Sequence, residues 1–219
     1  MKFLFKYATR SRPKWFKDTL TRWINCLSGK HEALFVVSID EDDESMVNPD
    51  MINWLNARSD KVTYSIRKTG TKIEAINGDV KGRDFDILVV VSDDMSPVFS
   101  GYDDTIARDM MTHFPQLDGA LHYPDGQRGD LITLSIMGKK LYDKLGYVYY
   151  PGYISMWCDN EFTDVVKAMG KYKYLPTIIV RHEWMKDGAD DLYKCNANKE
   201  WWAHDKALYE ARKAEGFNG

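Results

Sequence analysis

The chain has 219 residues, 44% of them hydrophobic, which is enough to bury a full core within one α/β domain. Its net charge of −3 excludes the broad basic face that general nucleic-acid binding requires. Cys26, Cys158 and Cys195 are widely spaced with no Cys-x-x-Cys pair, so neither a disulfide framework nor a zinc site is expected.

Phe3–Ala8 reads as a first strand, and Thr9-Arg10-Ser11-Arg12-Pro13 as the turn that leaves it. Pro13 suits a first helical turn, where its missing N–H is harmless. Phe16, Leu20, Trp23, Ile24 and Leu27 recur at helical spacing and predict an amphipathic helix over 14–28, stopped by Gly29. Ala33–Ile39 is a second buried strand. The acidic run Asp40-Glu41-Asp42-Asp43-Glu44 follows it, lacks the spacing of a calcium loop, and reads as solvated except for Asp40 at the strand's end. Asn48-Pro49 caps a helix to about Ala57, Val62–Ile66 is a third strand, and Thr71–Asn77 is a short helix.

Past Pro97 the pattern predicts a helix over 103–114, Gly- and Pro-bearing loops, and a strand over 131–137. Helices over 139–145 and 159–169, a last strand over 175–180 and a polar helix over 198–213 complete the chain. The β-α alternation implies a mostly parallel, doubly wound sheet with helices on both faces. No apolar run reaches membrane-spanning length, and Met1–Tyr7 is too short and too charged for a signal peptide, so a cytoplasmic protein without a transmembrane segment is expected.

The run Asp86–Val91, rich in Val, Ile and Leu without polar alternation, marks a central parallel strand covered on both faces, and it ends in Ser92-Asp93-Asp94. In open α/β sheets, ligands collect at the carboxyl ends of such strands. A divalent cation carried by a nucleoside diphosphate needs only one or two protein carboxylates, because phosphate oxygens and water fill the other positions. Asp93 and Asp94 therefore suffice for a metal–phosphate site, the alternative being that they open a surface loop or cap the turn at Ser96-Pro97. Lys2, Lys6, Arg10, Arg12, Lys14, Lys17, Arg22 and Lys30 form an N-terminal basic cluster, which would face either a diphosphate or solvent.

Several segments follow one another in a telling order. They are Thr9–Pro13 after the first strand, Asp40 ending the second, Gly70-Thr71-Lys72-Ile73-Glu74-Ala75-Ile76-Asn77, Ser92-Asp93-Asp94, Trp157-Cys158-Asp159-Asn160-Glu161-Phe162, and Arg181-His182-Glu183. In this order the chain resembles the GT-A glycosyltransferases, especially the family-2 type that uses nucleotide sugars, from Ala8 to about Phe217. The resemblance implies a single Rossmann-like GT-A domain over 1–219, with a nucleotide-sugar-binding half over 1–97 and an acceptor-binding half over 98–219. It also implies that Thr9, Arg10, Arg12, Asp40, Lys72, Asn77 and Asp93 meet the donor, with the arginines and Lys72 offsetting diphosphate charge.

The family's Asp-x-Asp motif falls on Ser92-Asp93-Asp94, with Ser92 in the first acidic position. Asp94 is left as the main ligand for Mn²⁺ or Mg²⁺, helped by His182, whose alternative is a hydrogen-bonded structural histidine. Asp93 either touches the ribose or takes the missing role. Asp159 matches the aspartate of the family's Glu-Asp segment, with Cys158 in the glutamate's place, and is implied as the base of an inverting transfer. The other reading of Asp159 is a helix N-cap. Tyr147, Tyr149, Tyr150, Tyr153 and Trp157 would stack on sugars or fill the core, and Trp184, Trp201 and Trp202 would form an acceptor lid.

The function so implied is sugar transfer from a nucleotide-diphosphate sugar to a hydroxyl of a glycan, lipid, protein or modified base. Ser92 and Cys158 keep open a non-catalytic nucleotide-sugar or glycan-binding module. A sugar-phosphate nucleotidyltransferase is the third reading, although Thr9–Pro13 contains none of the glycines of its phosphate loop.

Overall fold

Side chains alternate across an extended chain, and in β1 (Lys2–Thr9) both sets are buried beyond Lys2, which places this strand in mid-sheet. The computed structural model describes residues 1–183 and 191–217. After β1 come α1 (Pro13–Asn25), β2 (Glu32–Asp40), α2 (Pro49–Asn56), β3 (Val62–Arg67), α3 (Lys72–Asn77) and β4 (Ile87–Val91). The second part holds β5 (Met95–Pro97), α4 (Tyr102–His113), β6 (Ala120–His122), β7 (Ile136–Gly138), α5 (Lys139–Leu145) and α6 (Cys158–Ala168). β8 (Tyr172–Tyr174), β9 (Val180–His182), α7 (Asp191–Asn196) and α8 (Lys199–Ala214) close it, and Trp184 lies outside the described residues.

The main sheet runs β3-β2-β1-β4-β7-β6-β8. β1 to β4 are parallel neighbours, β7 is antiparallel to both β4 and β6, and β8 is parallel to β6, so β7 alone is reversed. Phe5, Tyr7, Phe35, Val37, Val89 and Val91 face one layer with Phe16, Leu20 and Trp23 of α1, Leu55 of α2 and Met110 of α4. Leu4, Val36, Leu88 and Val90 face the other with α3, α5 and α6. The mostly parallel, doubly wound α/β architecture expected from the sequence is the one observed. Among the described residues, no helix is long and apolar enough to cross a membrane.

The second half departs from the sequence expectation in its strands. Of the expected 131–137 strand only 136 and 137 join the ladder, with Gly138 added, because the Ile132 N–H donates to Thr163 Oγ1 (3.1 Å) and Thr133 Oγ1 to Asp125 (2.7 Å). The expected strand over 175–180 is replaced by β8 and β9 on either side of Pro176, whose missing N–H cannot serve a ladder. At Gly138 a Cβ would stand 2.3 Å from the Leu117 carbonyl oxygen, so the entry into α5 requires glycine.

Lys6 breaks the apolar pattern of β1. It is fully buried, and its Nζ donates to Ser38 Oγ (2.5 Å), which donates to Asp79 Oδ2 (3.2 Å). Ser65 and Arg67 donate to the same carboxylate oxygen. Burial pulls the ammonium down to about 7, against the opposing charge of Asp79. An unfolded lysine keeps its proton to about 10.4, so between about pH 7 and 10 the unfolded state binds more protons and folding gains stability as pH rises. In urea titrations, wild type is expected to gain on Lys6→Met over that window by up to about 1.4 kcal/mol per pH unit. A gap independent of pH would show that Lys6 stays charged.

Candidate functional site

β1 is flanked by β2 on one side and β4 on the other, and the chain winds outward in both directions from it. At such a switch in strand order the connections diverge and leave a crevice at the carboxyl ends. Tyr7 lies opposite Val91, so two residues on Thr9 meets Asp93, and its hydroxyl donates to Asp93 Oδ2 at 3.3 Å. The turn after β1 carries Ser11 at φ 58, and the Ser11 N–H donates to Asp43 Oδ2 at 2.6 Å. Asp43 is thus buried rather than solvated, contrary to the reading of its acidic run.

This turn sends its arginines to opposite sides. Arg10 reaches Asp40 (2.8 Å) and forms a two-pronged pair with Asp42 (2.6 and 3.0 Å), while Thr69 donates to the other Asp40 oxygen. Arg12 reaches Asp94 Oδ2 at 3.4 Å and lies 5.1 Å from the Trp15 ring centre. The N-terminal basic cluster does not act as a unit: Lys2 and Lys30 pair with Asp84 and Asp104 elsewhere, and Lys14 pairs with Asp18 along α1.

The short β5–β9 ladder places His182 opposite Met95 and brings the Glu183 N–H to the Asp94 carbonyl (2.7 Å). The imidazole then stands between two carboxylates, Nδ1 3.0 Å from Asp125 Oδ2 and Nε2 3.4 Å from Asp94 Oδ1. Asp125 is buried and also accepts from the Gln127 and Arg128 amides and the Thr133 hydroxyl. Burial disfavours the imidazolium, but Asp125 and Asp94 outweigh it and raise His182 to about 9. Burial likewise works against ionised Asp94, and His182, Ser92 and Arg12 overcome it, holding that carboxyl well below its usual range. Sequence reasoning missed Asp125. Pro124-Asp125-Gly126 reads as a turn, and nothing local says that its carboxylate meets β9.

Asp93 behaves in the opposite way. It is buried, its Oδ1 has no hydrogen-bond partner among the described residues, and burial followed by the Asp94 charge raises it to about 8. Beside it an open cleft of about 380 Å³ is walled by Lys14, Trp15 and Arg22 of α1 together with Ser96 and Glu183. Among the described residues, no cluster of three or more His, Cys, Asp or Glu side chains is arranged to hold a metal ion alone. Asp94 Oδ1 and His182 Nε2, 3.4 Å apart, are two donors suited to a cation whose remaining ligands come from phosphate and water.

Asp159 is the second residue of α6, whose cap position belongs to Trp157 without a side-chain bond, so the N-cap reading of Asp159 is corrected. Its Oδ1 accepts from the Asn160 N–H at 3.0 Å. Burial raises its pKa, opposed by the charges of Lys72 and Arg128. Lys72, exposed at the start of α3, is therefore within electrostatic reach of Asp159. Asn77 is not brought to the cleft as a free ligand. Its amide accepts from the Val148 and Tyr149 N–H groups and donates to the Tyr149 carbonyl, which ties α3 to that loop. Tyr149 and Tyr153 are core residues whose hydroxyls bond Ser135 and Glu161.

No family model and no curated protein sequence matches the chain. Solved structures do share its fold. The mannosyltransferase PcManGT from Pyrobaculum calidifontis, in complex with GDP-Man and Mn²⁺, has a TM-score of 0.64 and 14% identity, covering 83% of this chain and 56% of that one. S. aureus TarS with UDP gives a TM-score of 0.62 at 12% identity, and with UDP-GlcNAc 0.61 at 13%. Both cover 83% of this chain, which spans 60% and 58% of the TarS chains. At these identities the likeness is one of fold, that of GT-A-type glycosyltransferases.

Folded Asp93 titrates near 8 and unfolded aspartate near 3.9, so between these values the folded state holds the extra proton and loses stability as pH rises. In EDTA, Asp93→Asn, which mimics the neutral acid, is expected to gain on wild type steadily from about pH 4 to 8 in denaturant titrations. A pH-independent gap would mean that Asp93 is ionised throughout.

Proposed function

We propose that this protein is a glycosyltransferase that moves a sugar from a nucleoside-diphosphate sugar to an acceptor hydroxyl. The observation that carries the proposal is that Arg10–Asp40 and Arg12–Asp94–His182 gather beyond the carboxyl ends of β1, β2 and β4, at the strand-order switch. Its fold is shared with proteins solved with GDP-Man and with UDP-GlcNAc, which supports a nucleotide sugar as donor. Residues 1–97 form the donor half in this reading, and 98–219 supply the acceptor side.

Thr9, Arg10 and Asp40 border the nucleoside end. Asp94, with His182, would hold Mn²⁺ or Mg²⁺, and Arg12 would offset charge on the diphosphate. When bound, the cation supplies Lewis-acid stabilisation of the departing diphosphate. Asp159 takes the acceptor proton as the hydroxyl attacks. Burial raises its proton affinity towards what a general base requires, while Lys72 keeps the ionised form accessible. The Ser92 hydroxyl bonded to Asp94, and the buried Cys158 before Asp159, favour as second reading a binding module without turnover.

Calorimetry with UDP and GDP is expected to show binding at least about tenfold tighter in Mn²⁺ than in EDTA, because Asp94 and His182 alone offer too few ligands. Asp94→Asn should remove the difference, whereas equal wild-type affinity in both buffers would reject the metal reading. Asp159→Asn keeps the shape and removes the basicity, so nucleotide affinity should persist while turnover falls by about a hundredfold or more. Turnover within a few-fold of wild type would point to a retaining mechanism. No turnover of any nucleotide sugar that binds would favour the binding module.

A further inference from the structure

The segment that carries Asp159 is gripped from outside the sheet by the last helix. Asp205 of α8 is fully buried, and its carboxylate accepts three successive backbone N–H groups, from Ile154 (2.9 Å), Ser155 (2.8 Å) and Met156 (2.8 Å). Two residues beyond Asp159 in α6, buried Glu161 receives Arg212 of α8 through three contacts of 2.9 to 3.1 Å. Tyr153 donates to the same carboxylate (2.7 Å), and the Arg212 guanidinium lies 3.4 Å from the Tyr150 ring centre. Between the two clamps stands Trp157, a non-glycine residue at φ 64, its ring 5.6 Å from that of Trp202 and 5.2 Å from that of Tyr209, both on α8.

A left-handed tryptophan costs about 1–3 kcal/mol and persists only where its surroundings over-determine it. Here the surroundings are Asp205 before it, Arg212 after it and two aromatic rings beside it. Burying charges is itself costly, and apolar residues would anchor a helix as well. What a three-N–H clamp and a two-pronged ion pair add is a defined position for the backbone between them, and Asp159 lies in that interval.

We propose that α8 is the positioning element of the site, with Asp205 and Arg212 fixing where the Asp159 carboxylate stands. The proposal rests on the reading of Asp159 as general base. Misplacement of a catalytic group by about 1 Å can cost on the order of a hundredfold in rate, so the prediction is a loss in kcat without a loss in donor binding.

The test compares wild type, Asp159→Asn, Asp205→Asn and the double variant. The readouts are UDP or GDP released from UDP-GlcNAc and GDP-mannose in Mn²⁺, and UDP and GDP affinity by calorimetry. Asp205→Asn is expected to lower kcat at least about tenfold with KM and nucleotide affinity within about twofold. The double variant should be no slower than Asp159→Asn alone, because Asp205 acts through Asp159. Leu55→Ala, a truncation in the core beneath α2, should lower Tm without this kcat signature, which separates positioning from general destabilisation.

If Asp205→Asn does not fold, Arg212→Lys and the partly exposed Trp202→Ala probe the same grip and should show the same split. Wild-type kcat in Asp205→Asn, or losses that multiply in the double variant, would overturn the positioning role while leaving the base reading intact. Wild-type turnover in Asp159→Asn would remove the base reading, and this proposal with it.

Discussion

Parallel pairing of β1 between β2 and β4 is the constraint on which the remainder depends. It sets Thr9 beside Asp93, brings the turn after β1 between the ends of two other strands, and lets one short turn deliver Arg10 and Arg12 to different carboxylates. A slip of one residue in either pairing would turn Asp93 and Thr9 to opposite faces and carry Phe5 or Val89 from one apolar layer into the other. The two apolar layers that clamp this strand therefore hold the register of the site as well as the core. That is why a turn with a left-handed serine is tolerated there: Asp43 secures its N–H from a neighbouring strand end.

At the end of β4 two adjacent carboxylates divide their roles by environment. Asp94 faces His182 and Arg12 and stays ionised, whereas Asp93 points into the protein beside Thr9 and favours its proton. His182 is oriented by Asp125 through Nδ1, which leaves Nε2 turned towards Asp94. A histidine whose second nitrogen is fixed by a buried carboxylate is a usual arrangement for a metal ligand, because the tautomer and ring orientation are set in advance. The same geometry serves without a cation as an imidazolium bridge between two acids.

The two halves of the molecule are built differently. The first is a run of β-α units in which β1, β2 and β3 pair in sequence order and the chain then crosses back to set β4 against β1. The second is assembled from distant pieces: β5 with β9, the loop at Asp125 with His182, and α8 with the start of α6. The proposed donor side thus rests on the regular half, and Asp159 rests on contacts that reach across tens of residues.

The sequence by itself determined the alternation of buried strands and amphipathic helices through β4, the parallel sheet that follows from it, and the gathering of Thr9, Arg10, Asp40 and Asp94 at one edge. These are legible because periodicity and strand ends are local properties, and right-handed crossovers leave few ways to connect them. Only the tertiary structure decided that Asp43 is buried, that Asn77 serves a loop, that Asp125 orients His182, and that Asp205 and Arg212 hold the Asp159 segment. Three-residue strands such as β5 and β9 carry no period to read, and a charged residue in a polar loop or helix looks solvated until its distant partner is known. Burial of a charge is a property of two segments at once, and a sequence displays only one segment at a time.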